Sequence, residues 1–207
     1  FDVPLAGRSE RRFRAEVPDL AEDWTIGAIV GPSGSGKSTI AQKAFGAAVR
    51  PPRPWPDDAA VIDGFGDVPT RELVRILSAV GLAITQTWSR PYRTLSNGER
   101  FRCDLARALS TKAELAVVDE FTSVVDRTVG RIGSAAAARA VRGGRVGARR
   151  FVAVSCHYDI LEWLAPDWVV DMATCRLARG RLRRPPLRLE LDRCGYDAWR
   201  LFAHHHY

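Results

Sequence analysis

The chain has 207 residues and a formal charge of +7, with 46% apolar and 27% charged residues. That composition fits one soluble globular domain, or one domain and the stub of another, and it excludes wholesale disorder. Apolar runs span only a few residues, far short of the ~20 that cross a bilayer. No signal peptide opens the chain, and its start at Phe1 in place of Met reads as a piece of a longer product.

Residues 1–17 alternate weakly, which suggests short strands at a sheet edge. Trp24 to Val30 (WTIGAIV) is a β-branched run that predicts a buried strand. A glycine-rich turn follows, and then Ser38 to Ala48 has helix-forming composition. RPPRPWP, from Arg50 to Pro56, carries four prolines and must be a loop. Ala59 to Asp63 predicts a second short strand, closed by Gly64 and Gly66. Thr70 is expected to cap a helix with Leu73, Ile76, Leu77 and Val80 on one face, ended by Gly81. After a loop at Ser89–Arg93, Gly98 to Leu109 predicts another amphipathic helix, with Phe101, Leu105 and Leu109 spaced by four. Further strands are expected at Leu115–Val118, Phe151–Ser155 and Trp168–Met172, with an alanine-rich helix at Ser134–Arg142. Continuous apolar strands alternating with helices imply an α/β fold with a mainly parallel sheet covered on both faces.

Gly31-Pro32-Ser33-Gly34-Ser35-Gly36-Lys37-Ser38-Thr39 matches the P-loop (Walker A) pattern GxxxxGK[ST] in full. The glycines let the backbone turn tightly, so that N–H groups point inward at phosphate oxygens. The helix that follows presents its positive end to the same anion. Lys37 is suited to reach the β- and γ-phosphates, and the Ser38 hydroxyl to ligate Mg²⁺. The motif follows a buried strand and opens a helix, the context its mechanism requires.

Leu115 to Asp126 reads LAVVDEFTSVVD. A buried strand delivers Asp119 to its C-terminal edge, where open α/β sheets bind ligands. There the carboxylate is expected to hold Mg²⁺ opposite Ser38. Glu120 is then placed to orient or deprotonate an attacking water, which favours hydrolysis over transfer to another substrate.

Between these two segments lies Leu95-Ser96-Asn97-Gly98-Glu99-Arg100. In the order GPSGSGKST, LSNGER, VVDEFTSVVD, the chain resembles the ATP-binding cassette (ABC) superfamily over roughly residues 24–180. The usual signature is LSGGQ or LSGGE, so Asn97 departs from it while Ser96 and Gly98 hold. The resemblance implies a P-loop ATPase in which Ser96, Asn97 and Gly98 cap the γ-phosphate held in the cradle of a second cassette. Two copies would thus close head-to-tail around two ATP molecules. It also implies that Ser123 to Asp126 form the loop crossing that dimer, and that His157, at the end of FVAVS, is the switch histidine that contacts the γ-phosphate.

Two departures set the chain apart from transporter cassettes. The family usually has a Gln just after its second strand, where this chain reads VIDGFGD; Gln86 lies too late, and Asp63 is the residue nearest in sequence to take its place at the metal. Only 64 positions separate Gly31 from Leu95, so the helical subdomain, about residues 67–110, is expected to be reduced. A transporter's nucleotide-binding subunit, with a membrane partner, is therefore the second reading. For the aromatic that stacks on adenine, Phe13 is too close to the cradle and Phe1 too far; Arg8 and Arg11 are alternative candidates, and the sequence does not choose the adenine contact.

Residues 1–126 carry 16 basic and 17 acidic groups, while residues 127–207 carry 15 and 7, so all the excess charge lies late in the chain. Of 31 basic residues 28 are arginine. The arginine-rich regions 127–150 and 176–193 are candidate contacts for nucleic-acid phosphates, with binding expected to weaken steeply with salt. Pro185-Pro186 marks an expected boundary, with the ATPase domain at 1–185 and a basic connector at 186–207. Within the connector, LRLEL (187–191) alternates as a strand and Tyr196–Phe202 suggests a helix. The connector faintly resembles the link in cassettes fused to an acetyltransferase-like domain. His204, His205 and His206 have no second ligand cluster to make a metal site. Cys103, Cys156, Cys175 and Cys194 form no CxxC pair, and Cys103 and Cys156 read as small core residues, which fits a reducing, cytoplasmic setting.

Overall fold

The computed structural model describes residues 14–49, 53–110 and 113–180. Its strands are β1 (Ile26–Val30), β2 (Leu115–Val118), β3 (Arg150–Ser155), β4 (Trp168–Asp171) and β5 (Arg176–Arg179). They form one sheet in the order β2-β3-β1-β4-β5, with β5 antiparallel to β4 and every other pairing parallel. The helices are α1 (Lys37–Phe45), α2 (Thr70–Ala79), α3 (Thr85–Trp88), α4 (Asn97–Ser110), α5 (Arg127–Arg142) and α6 (Ile160–Leu164).

Alternation along the strands divides the core into two layers, because successive side chains point to opposite faces. Ile26, Ala28 and Val30 of β1 and Phe151 and Ala153 of β3 join the cluster containing Leu73, Leu105, Ala137 and Ile160 from α2, α4, α5 and α6. Ile29, Val152, Val154 and Trp168 face the other way, against Ala41, Ile40 and Phe45 of α1. Both faces of the sheet are thus covered, which is why β1 and β3 read as unbroken apolar runs. The indole of Trp168 lies directly over Gly27, where an added Cβ would come within 2.0 Å of the ring. Glycine is required there by close approach, and any larger residue would separate β1 from β4.

Several expectations change. Ala59–Asp63 is not a strand; Val61–Phe65 is a 3₁₀ turn, and Ala60 makes only a single antiparallel bridge to Pro91. In a strand Asp63 would share the face of Val61 and Phe65, yet those two are buried while Asp63 is exposed and its N–H turns back to Ala60 O at 3.0 Å. The first helix stops at Phe45, where Gly46 takes φ +41°, and continues only as a 3₁₀ turn to Ala48. Helix α5 starts at Arg127 rather than Ser134, because Asp126 caps it with bonds from Thr128 N (2.9 Å) and Val129 N (3.0 Å). Thr70 does not cap α2 but is its first residue, after Pro69 as N-cap, whose fixed φ is already suited to the helix entry and which makes no side-chain bond. Strand β5 and the short helices α3 and α6 are additions. Residues 14–17 carry no strand. Residues 1–13, 50–52, 111–112 and 181–207 lie outside the described residues, and with them the adenine-stacking candidates, Cys194, the connector and the terminal histidines.

The proline-rich loop is fastened to α4 by an aromatic clamp. Trp55 and Tyr92 stack at 4.9 Å and 7°. Both donate to Asp104, Trp55 Nε1 to Oδ1 at 2.7 Å and the Tyr92 hydroxyl to Oδ2 at 2.6 Å. The Arg107 guanidinium lies 3.8 Å over the Trp55 ring. Burial, reinforced by the Asp104 carboxylate, raises the Tyr92 phenol well above its ordinary range, so the clamp stays protonated and intact at any physiological pH.

Candidate functional site

The cradle runs between β1 and α1. Gly31, Gly34 and Gly36 take φ values of +151°, +74° and +84°, which residues with a Cβ rarely adopt. A Cβ on Gly31 would also meet Ser35 Oγ and Met172 Cβ at 2.9 Å each. Pro32, Ser33, Gly34, Ser38 and Thr39 are exposed, whereas Ser35 and Lys37 are buried. The Lys37 ammonium donates to Pro32 O at 2.8 Å, and no carboxylate pairs with it among the described residues. Helix α1 has Gly36 as its N-cap, with no side-chain cap and no acidic residue in its first turn. Ser35 Oγ is buried without a hydrogen-bond partner. A buried ammonium without a counter-charge, an uncapped helix start and an unpaired hydroxyl all suit a polyphosphate anion. Ser38 and Asp119 are the oxygen donors available for Mg²⁺, which takes few protein ligands because phosphate oxygens and water complete its shell.

Strand order puts β3 between β1 and β2, so the cradle and Asp119 end on strands about 9.6 Å apart. Asp119 Oδ1 accepts from Glu120 N at 2.9 Å, and Glu120 Oε2 accepts from Ser123 Oγ at 2.7 Å. Glu120 and Thr122 both sit in the left-handed region, at φ +53° and +65°. Between them Phe121 is buried, its N–H bonded to Val154 O at 2.9 Å and its carbonyl accepting from Ser155 Oγ at 2.8 Å. These two bonds and the Phe121 ring hold a turn that costs about 1–3 kcal/mol per strained residue, and they leave the Glu120 carboxylate exposed.

Ser155 links this turn to His157, because the same hydroxyl accepts from His157 N at 3.1 Å. The residues beyond His157 are also fastened. Tyr158 donates to Asp171 at 2.7 Å, and Asp159 receives two bonds from the Arg127 guanidinium, one of them 2.8 Å from Nε. Burial, then the Asp171 carboxylate, pushes the Tyr158 phenol up to about 12. The half-buried His157 imidazole itself has no hydrogen-bond partner among the described residues. Sequence reading did not foresee the Arg127–Asp159 pair, which joins residues 32 positions apart.

Ser96, Asn97 and Gly98 open α4. Ser96 and Glu99 form a capping box: Ser96 N and Oγ each donate to Glu99 Oε2 at 2.8 Å, and Glu99 N donates to Ser96 Oγ at 3.3 Å. Bonds from the Ser96 backbone and hydroxyl hold the Glu99 carboxyl below its ordinary value. A Cβ on Gly98 would press on Val129 of α5 at 3.3 Å, so glycine here lets α4 start against the α5 terminus. Asp126 is exposed, with Oδ1 committed to the α5 cap.

Of the two residues weighed for the missing Gln, Asp63 is exposed on the 3₁₀ turn and Gln86 is exposed on α3. Among cysteines, Cys103 is buried and burial pushes its thiol up to about 12, whereas Cys156 is half-buried just beyond β3 rather than in the core. No cluster of three or more His, Cys, Asp or Glu side chains gathers for a metal among the described residues. No described helix is long and apolar enough to cross a membrane.

No protein-family model and no curated protein matches the sequence. Solved structures do match its shape. The post-hydrolysis dimer of the ATP-binding cassette MJ0796 bound to ADP and Pi aligns with TM-score 0.58 at 15% identity, over 77% of this chain and 86% of that one. A second dimeric structure of MJ0796, described as a bacterial ABC transporter cassette, aligns with TM-score 0.54 over the same shares at 15% identity. The fold of this chain is that of ATP-binding cassettes.

Proposed function

We propose that the chain is a Mg-ATP hydrolase that closes head-to-tail with a second copy around two ATP molecules and reopens after hydrolysis. The observation that carries this reading is the buried, counter-ion-free Lys37 beneath an uncapped helix start, on the same sheet edge as Asp119, Glu120 and His157. Lys37 and the 31–38 backbone bind phosphate oxygens. Ser38 and Asp119 would hold Mg²⁺, which would supply charge neutralisation to the phosphates. Glu120 accepts a proton from the attacking water, and His157 orients the γ-phosphate. Ser96, Asn97 and Gly98, with Asp126, complete the cradle of the second copy.

Residues 1–185 then form the ATPase domain, with a reduced helical subdomain at 67–110, and residues 186–207 lead toward the module it drives. That module is a fused acetyltransferase-like domain or a nucleic-acid partner, in a cytoplasmic setting; sequence alone supports these finer points. The transporter-subunit reading is favoured by the descriptions of three structural neighbours, a bacterial ABC transporter cassette, a cobalt transport ATP-binding protein and a metal-chelate type ABC transporter. It is disfavoured by the missing Gln after residue 63 and by the short interval between cradle and signature.

Glu120→Gln tests the proposal by light scattering and phosphate release. Hydrolysis should slow ~10²-fold or more, and Mg-ATP should trap a dimer. Near-normal turnover would remove Glu120 as the base. A protein that stays monomeric with Mg-ATP would overturn the head-to-tail closure.

A further inference from the structure

We propose that the groove between α5 and α6 binds the sugar–phosphate backbone of a nucleic acid. The groove has a volume of about 670 Å³ and is lined by Arg131, Arg139, Arg142 and Arg145, with Glu162 its one acidic residue. Ala135 and Ala138 lie between the arginines and keep the floor low. Arg142 shapes the groove by holding α6 to α5: its guanidinium donates to Leu164 O at 2.9 Å and Ala165 O at 2.5 Å, and lies 3.8 Å from Asp167.

The other three arginines are exposed and form no ion pair with a described residue. Several other arginines are paired with carboxylates, as in Arg93–Asp58, Arg127–Asp159, Arg150–Glu114 and Arg179–Glu22, and what sets the groove apart is that three unpaired ones line a single cleft. Cations in the last turn of a helix complement its dipole, which accounts for Arg139 and Arg142. It does not account for Arg131, in the second turn of α5, or Arg145, beyond its end.

Spacing and chemistry select the occupant. Between residues 131 and 142 the helix rises about 17 Å, a length that faces roughly five phosphates of one strand at ~3.4 Å each. The guanidiniums are spread along that length instead of converging on one point, which suits a polymer of regular charge over a single phosphorylated metabolite. A planar guanidinium also matches phosphate oxygens two at a time. The groove lies along the body of α5, away from the cradle, so this inference does not depend on the ATPase reading.

Fluorescence anisotropy of a labelled DNA duplex with the full chain, without nucleotide, tests it. Three phosphate contacts give a slope of about −2.7 in log affinity against log salt, or roughly 40-fold weakening between ~50 and ~200 mM. The variant R131A/R139A/R145A should bind at least ~10-fold more weakly at low salt and lose about that slope. R131K/R139K/R145K should keep the slope, since the charges remain, and both variants should retain Mg-dependent ATP turnover if the fold is intact. An alanine variant with unaltered affinity and slope would overturn the proposal. So would failure of the unaltered protein to bind the duplex, or its displacement by polyglutamate at equal charge, which would mark an acidic-protein surface.

Discussion

Helices α1 and α4 both begin at glycine-containing turns of similar composition, GSGKS and LSNGE, yet only α4 closes its own N-terminus. At α1 the cap is Gly36, no side chain bonds the orphan N–H groups, and the one nearby cation is buried. At α4 the Ser96 hydroxyl and the Glu99 carboxylate satisfy each other and the backbone. The first terminus has the chemistry that suits an anion. The second is complete in the single copy, so any contact of Ser96 with a partner's phosphate must exchange with its bond to Glu99. The helices α2, α3 and α6 also lack a side-chain cap, so what sets α1 apart is the positive-φ glycine turn and the buried Lys37 beside it; at α4 the reactivity of Ser96 depends on how readily its cap is released.

Substitutions on each side test that contrast. The largest effect is expected for Lys37→Met, which removes a charged hydrogen-bond donor from a buried anion site at a cost of up to ~3 kcal/mol. ATP affinity measured by calorimetry should fall by roughly 10²-fold. Unchanged affinity would mean that the α1 terminus holds the phosphates without it. Ser96→Ala should leave ATP affinity of the single copy intact while lowering stability by about 1 kcal/mol through the lost cap and slowing hydrolysis that requires two copies. A drop in single-copy affinity would contradict the assignment of Ser96 to the opposite cradle.

The Glu99 cap adds a pH signature to the same helix start. Its carboxyl is depressed in the folded state below the ordinary 4.5, so its contribution is fully present above that value and is lost as pH falls through the folded one. Melting of Glu99→Gln and the unaltered protein should therefore differ near neutrality and converge in acid. The smallest effect is expected for Asp126→Ala, about 1 kcal/mol from the α5 cap, read by denaturant unfolding; its effect on dimer turnover separates capping from contact across the dimer.

The core strands and the cradle were legible because their signals are local. Ile26–Val30, Leu115–Val118 and Arg150–Ser155 announce themselves by apolar runs, and GPSGSGKST by glycines that must take positive φ. The 59–65 segment was misread because a short apolar run suits strand and helical turn equally, and only the inward packing of Val61 and Phe65 decides between them. Asp126 as a helix cap was also local, yet the glycine-containing TVGRIG stretch obscured the start of α5, since glycine weakens helix propensity.

What the sequence determined by itself, then, was the four parallel strands and the residue types at their ends: turn conformations and side-chain types are fixed within a few residues. Tertiary structure decided how those ends meet. It placed β3 between β1 and β2, set Ser155 between the Glu120 turn and His157, and brought Arg127 to Asp159 and Trp55 to Asp104. These contacts join residues tens of positions apart, so their energies depend on strand order and helix packing, which no local window contains. The surplus positive charge divides in the same way. Its amount is a property of composition, but the alignment of three unpaired arginines along one groove exists only once α5 is wound and α6 is docked against it.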